Sequence, residues 1–174
     1  FAFFSLCLAV LKNNLLVKKR LFYFLIYFVI MGIFLLLTWP GIFKGDEFYV
    51  LKSALEFTLS PAQTGITSIF YIVCLLFFPS MATTTFMQLI LICSIFSYIM
   101  YHLIEQFQSR KIWFLMIPFL LLPVIDANLF TLRASLVAWL FLFIIFKIYF
   151  LYKKNACTYK DILLLSALSG FLCA

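Results

Sequence analysis

Along the chain, unbroken apolar runs of 14 to 23 residues alternate with short polar breaks, and no run shows the two-residue alternation of strands. Continuous runs of this length predict helices, and about 20 apolar residues are needed to cross a bilayer. Four complete spans are expected, at 21–39, 82–104, 112–125 and 134–152. Partial spans are expected at 1–11 and 162–174, so the chain reads as a piece cut from a longer membrane protein. The run 66–79 (ITSIFYIVCLLFFP) is short enough to suit an interfacial or re-entrant helix.

Composition supports this class: 67% of residues are hydrophobic and 11% charged, against about a quarter charged in a soluble domain. A bilayer admits only helices and closed barrels, because unpaired backbone groups are costly in hydrocarbon. The expected fold is therefore an all-α integral membrane protein, a polytopic bundle of transmembrane helices with short juxtamembrane helices in its first outer loop. The five cysteines form no C-x-x-C pair and predict neither a disulfide framework nor a metal site.

Charge chooses between two topologies. With 66–79 kept from crossing, segments 12–20, 105–111 and 147–161 share one side and carry +4, +1 and +3. The opposite side then holds 40–65 at −1 and 126–133 at 0. Lys and Arg accumulate in cytoplasmic loops, so the basic side is inside and residues 40–81 form one long outer loop. In that loop Asp46–Ser60 reads as a helix with Phe48, Leu51, Leu55 and Leu59 on one face, stopped by Ser60-Pro61. The basic loops set topology and touch lipid headgroups; no nucleic-acid partner is expected.

Candidate chemistry lies on the outer side. Asp46 and Glu47 either complement the dipole of a helix start or supply a general base at the membrane face. Asp126 and Arg133 either end helices at the interface or bind a ligand, Arg133 holding a phosphate through charge-assisted hydrogen bonds. His102 is expected to be an interfacial histidine.

A first span ending in Trp39-Pro40-Gly41, then Asp46, Glu47, Tyr49 and Ala54 in a D-E-x-Y-x-x-x-x-A pattern, resembles the GT-C superfamily of polytopic glycosyltransferases. The similarity is to its bacterial protein mannosyltransferase and aminoarabinose transferase branches. A second span opening near FFPSMATTTFMQLI and a third bearing Pro118 and Pro123 fit the same layout. The resemblance implies transfer of a sugar from a polyprenyl-phosphate donor to an acceptor at the outer face of a bacterial plasma membrane. It implies Asp46 as base, Glu47 in support, Arg133 on the donor phosphate and Asp126 as an acceptor or metal contact. The family often pairs an acid with a base at this second position; here Ala134 follows Arg133, which weakens a divalent-metal site. A transporter or lipid-oligosaccharide flippase, and an O-antigen polymerase or ligase, are the alternatives.

Overall fold

The computed structural model describes residues 15–43, 45–58, 65–108, 110–130, 133–154 and 157–173. The expected partial span 1–11 and the Ser60-Pro61 breaker lie outside them. The described chain is all-α, its only extended pairing being an isolated parallel bridge between Ile42 and Phe130. Helices α1 (Leu15–Leu37), α2 (Gly45–Leu55), α3 (Gly65–Phe77) and α4 (Met81–Phe107) come first. A 3-10 turn at Arg110–Leu115 leads into α5 (Met116–Phe119) and α6 (Leu122–Leu129), followed by α7 (Arg133–Lys154) and α8 (Tyr159–Cys173).

Among the described residues, three helices are long and apolar enough to cross a membrane: Lys18–Leu37, Met81–Phe107 and Ser135–Lys153. Helix α4 is the centre, with 61% of its apolar window buried against 22% for α1 and 28% for α7. On α1, Tyr23, Tyr27, Met31 and Leu35 recur every four residues and bury one stripe. They join Leu89, Ile92, Phe96 and Met100 of α4 in the main core, with the Tyr27 and Phe96 rings stacked at 4.2 Å. The outward face of α1, with Phe22, Leu25, Val29 and Ile33, is apolar yet exposed.

The single helix expected over 112–125 is instead broken. Lys111–Phe119 and Leu122–Leu129 meet at 60°. Pro118 and Pro123 lack the N–H that a continuous helix would need, and Pro123 sits in the first turn of α6, where that loss costs nothing. Hydropathy averages across such a break and does not register it.

Helix α2 also differs from expectation. It stops at Leu55, and Phe57 adopts φ 55°. Thr58 N–H donates to the Ser53 carbonyl at 2.8 Å and Phe57 N–H to Ala54 at 3.1 Å, a Schellman closure built without glycine. The buried face is Glu47, Val50 and Ala54, whereas Phe48 and Leu55 are more than half exposed. The reason is the partner helix: α3 buries Tyr71 against Val50 and Ala54, and its buried Thr67 and Ser68 bring polar groups to the same layer.

At the other end of the chain, Lys147 Nζ of α7 meets Asp161 Oδ1 at 2.7 Å. Thr158 and Asp161 exchange capping bonds at the start of α8, Thr158 Oγ1 donating to Oδ2 at 2.6 Å. These bonds to the ionised form, led by Lys147 and Thr158, hold the Asp161 carboxyl down at about 2. A depressed carboxylate stabilises the fold above its unfolded value near 4, and the contribution fades as pH falls through about 2. We therefore expect amide-exchange protection in the first turn of α8 to decline across that window, and Asp161→Asn to show the low protection at every pH.

Candidate functional site

Helix α1 ends with Thr38 Oγ1 donating back to the Phe34 carbonyl at 2.9 Å, and the chain then turns through a cis Trp39–Pro40 peptide to Gly41. Gly41 has φ +130°, and a Cβ there would stand 2.6 Å from Thr85 Oγ1. Only glycine permits both that conformation and that approach to α4. This close passage delivers Ile42 to its bridge with Phe130. The bridge joins two segments far apart in sequence. Asp46 follows Ile42 by four residues, Asp126 precedes Phe130 by four, and Arg133 follows it by three.

Below the bridge lies a buried polar knot. Gln88 of α4 donates from Nε2 to the carbonyls of Asn128 at 3.0 Å and Phe130 at 2.7 Å. These carbonyls lie at and just past the last turn of α6, where a helix lacks its own partners. Asn128 Nδ2 donates to the Tyr27 hydroxyl at 3.2 Å, and that hydroxyl donates to the Phe119 carbonyl at 3.3 Å. Asn128 Oδ1 accepts from Trp139 Nε1 at 2.7 Å and Ser135 Oγ at 3.2 Å. The Asn128 amide thus ties α6 to α1 and α7, Gln88 joins α4 to the same corner, and all five side chains of the knot are buried.

Of the expected site residues, Asp46 is exposed at the start of α2. Glu47 is 1% exposed and takes part in polar, electrostatic or ring contacts, as do Thr67, Ser68 and Tyr71. The pair therefore divides: one carboxylate faces outward, and the other belongs to the α2–α3 layer, where a buried charge has to be compensated. Asp126 is exposed on α6. Arg133 opens α7, and its side chain lies outside the described residues. The bridge gathers the segments carrying these residues at one end of the bundle.

An apolar cavity of about 430 Å³ flanks the knot, lined by Phe119, Val124, Ala127, Ser135, Trp139 and others. Among the described residues no group of three or more His, Cys, Asp or Glu could hold a metal ion.

The knot was not singled out from sequence. Gln88 and Asn128 carried a readable signal, since a lone amide within an apolar helix has to find partners. The partners themselves, up to 101 residues away, did not. His102 has a role beyond an interfacial ring. It accepts from Arg20 Nη2 at 2.8 Å, and its Nδ1 stands 3.7 Å from Glu105 Oε2.

No protein-family model matches the chain, and neither a curated protein nor a solved structure does.

Proposed function

We propose that this chain is the membrane part of a GT-C-like glycosyltransferase, moving a sugar from a polyprenyl-phosphate donor to an acceptor at the outer face of a membrane. The observation that carries the reading is the Ile42–Phe130 bridge, which draws the Asp46 loop and the Asp126–Arg133 corner to one end. The long apolar helices with exposed apolar faces suit lipid on all sides. The α5–α6 pair is a broken span, and α2 and α3 lie along the outer interface. Basic segments gather at the opposite ends of the spans.

In this reading Asp46, exposed and unencumbered by the packing that holds Glu47, removes the proton from an acceptor hydroxyl. The acceptor oxygen attacks the anomeric carbon, the bond to the donor phosphate breaks, and the configuration inverts. Arg133 takes up the charge that develops on the leaving phosphate. Asp126 contacts the acceptor. The apolar cavity beside α6 and α7 suits the isoprenoid chain of the donor. Glu47 positions α2 through its buried layer.

A second reading, an O-antigen polymerase-like protein, also keeps glycosyl transfer at the outer face. It is favoured by the concentration of buried bonds around the α6–α7 corner, the start of α7 that carries Arg133. The full protein, reconstituted with polyprenyl-phosphate sugars and glycan oligosaccharides on polyprenyl diphosphate, separates the two. Release of polyprenyl phosphate with single-sugar transfer supports the first reading, and ladders of lengthened glycan support the second. Turnover of neither class would sink both and leave transport, the reading that a broken span also suits.

A further inference from the structure

The ends of α1 and α4 away from the bridge form a second polar site. A cleft of about 300 Å³ opens there, lined by Lys19, Tyr23, Tyr101, Ile104, Glu105 and Gln108. Its two walls have opposite electrical character. One is the early part of α1, where Lys18, Lys19 and Arg20 add to the positive helix end. The other is the last turn of α4, where Glu105 adds to the negative end and Gln108 caps the helix with its N–H on the Ile104 carbonyl.

The groups behind the cleft are already engaged. The Arg20 guanidinium lies over the rings of Tyr98 and Tyr101, 5.2 and 5.0 Å from their centroids, and donates to His102 Nε2. A guanidinium can only donate, so Nε2 carries the lone pair and the imidazole proton sits on Nδ1, facing Glu105. Tyr101 donates to Glu105 Oε1 at 3.0 Å. Glu105 is thus held in place from behind while 53% of its side chain stays exposed. Lys19 is exposed, and its ammonium forms no ion pair among the described residues.

A cation and an anchored carboxylate on opposite walls of one cleft call for a ligand carrying both charges. The cleft also sits at the basic end of two helices long enough to cross a membrane, where a spanning orientation would bring it to the headgroups. We propose that it binds the headgroup of a phosphatidylethanolamine lipid, the phosphate on Lys19 and Gln108 and the primary ammonium on Glu105. Phosphatidylcholine offers the same phosphate but has no N–H for the carboxylate, and phosphatidylglycerol brings no cation at all. The inference rests on the membrane part of the reading above and is independent of glycosyl transfer.

The test is to reconstitute the full chain in nanodiscs of equal parts phosphatidylethanolamine, phosphatidylcholine and phosphatidylglycerol with matched acyl chains. Lipids retained on the protein are then counted by native mass spectrometry. We expect phosphatidylethanolamine to exceed each competitor by about tenfold, the effect of one charge-assisted hydrogen bond. Glu105→Gln should reduce it to the phosphatidylcholine level, and Lys19→Met, at an exposed position that packs nothing, should lower both together. Equal retention of the ethanolamine and choline lipids, dominance of phosphatidylglycerol, or a preference that survives in both variants would overturn the proposal. A chain that stays outside the nanodiscs would sink the membrane reading as well as this one.

Discussion

Asn128→Leu should destabilise the protein by about 2–4 kcal/mol, because it removes the acceptor for Trp139 Nε1 and Ser135 Oγ and the donor to Tyr27 in one step. Leucine has the same branching and number of side-chain heavy atoms as asparagine, so no cavity is made and lost hydrogen bonds dominate. Each polar group left unpaired in a buried site costs about 1–3 kcal/mol. The total stays below a simple sum, because Tyr27 keeps its bond to the Phe119 carbonyl and the Ser135 hydroxyl can turn to a backbone acceptor. Thermal unfolding of the detergent-solubilised protein, compared with an exposed control such as Leu164→Ala, would measure the difference. A loss no larger than that of the control would mean that the knot does not hold the helices together. Gln88→Leu should act in the same direction, since it strips the two carbonyls at the end of α6 of their donor.

The second large effect concerns the neighbouring acids. Asp46→Asn should lower glycosyl transfer by about 10²–10⁴-fold, the usual contribution of a general base, while leaving unfolding and membrane insertion unchanged. Asp46 is exposed and the amide nearly matches its shape, so nothing in the packing of α2 is disturbed. Glu47→Gln should show the reverse balance: a lower unfolding temperature, from disturbing the buried layer between α2 and α3, with a smaller loss of turnover per folded molecule. The two variants are adjacent in sequence, so the contrast between them separates a reacting group from a supporting one. Equal turnover by Asp46→Asn and the natural protein would remove Asp46 as the base.

Much of the architecture was legible because hydrophobic run length is a local property. The helices now seen at Leu15–Leu37, Met81–Phe107 and Arg133–Lys154 overlap the expected spans 21–39, 82–104 and 134–152, with ends shifted by a few residues. The short helix at Gly65–Phe77 likewise follows the 66–79 run. Failures arose where the outcome depended on a distant partner. The sequence put Phe48, Leu51 and Leu55 on one face of α2 and was silent on what would cover it: Leu51 packs beside Val50, Ala54 and Tyr71, whereas Phe48 and Leu55 are exposed and Glu47 is buried.

The break in the third expected span shows a second limit. Pro118 and Pro123 were visible, but proline also occurs within spans, and only the Gln88 donors show how the carbonyls at the end of α6 are satisfied. For the candidate site, the sequence named the carboxylates and the arginine, and the Ile42–Phe130 bridge brings together the segments that carry them. Only the family resemblance set Asp46 apart from Glu47; that one is exposed and the other buried depends on how α2 packs and is not a local property of the sequence. Nor could it foresee that Gly41, pressed against Thr85, carries Ile42 to Phe130 and so unites two loops 88 positions apart.

The proposed function requires Asp46 and Asp126 to face the same side of the membrane, with the basic segments on the other. In a background stripped of native cysteines, Asp46→Cys and Asp126→Cys should each react with a membrane-impermeant maleimide applied from outside to intact cells, and Cys157 is tested in a variant that retains it alone. The exposed native Cys157, in the basic segment before α8, should react only after the cells are opened. Labelling of Cys157 from outside, or of positions 46 and 126 from opposite sides, would contradict it.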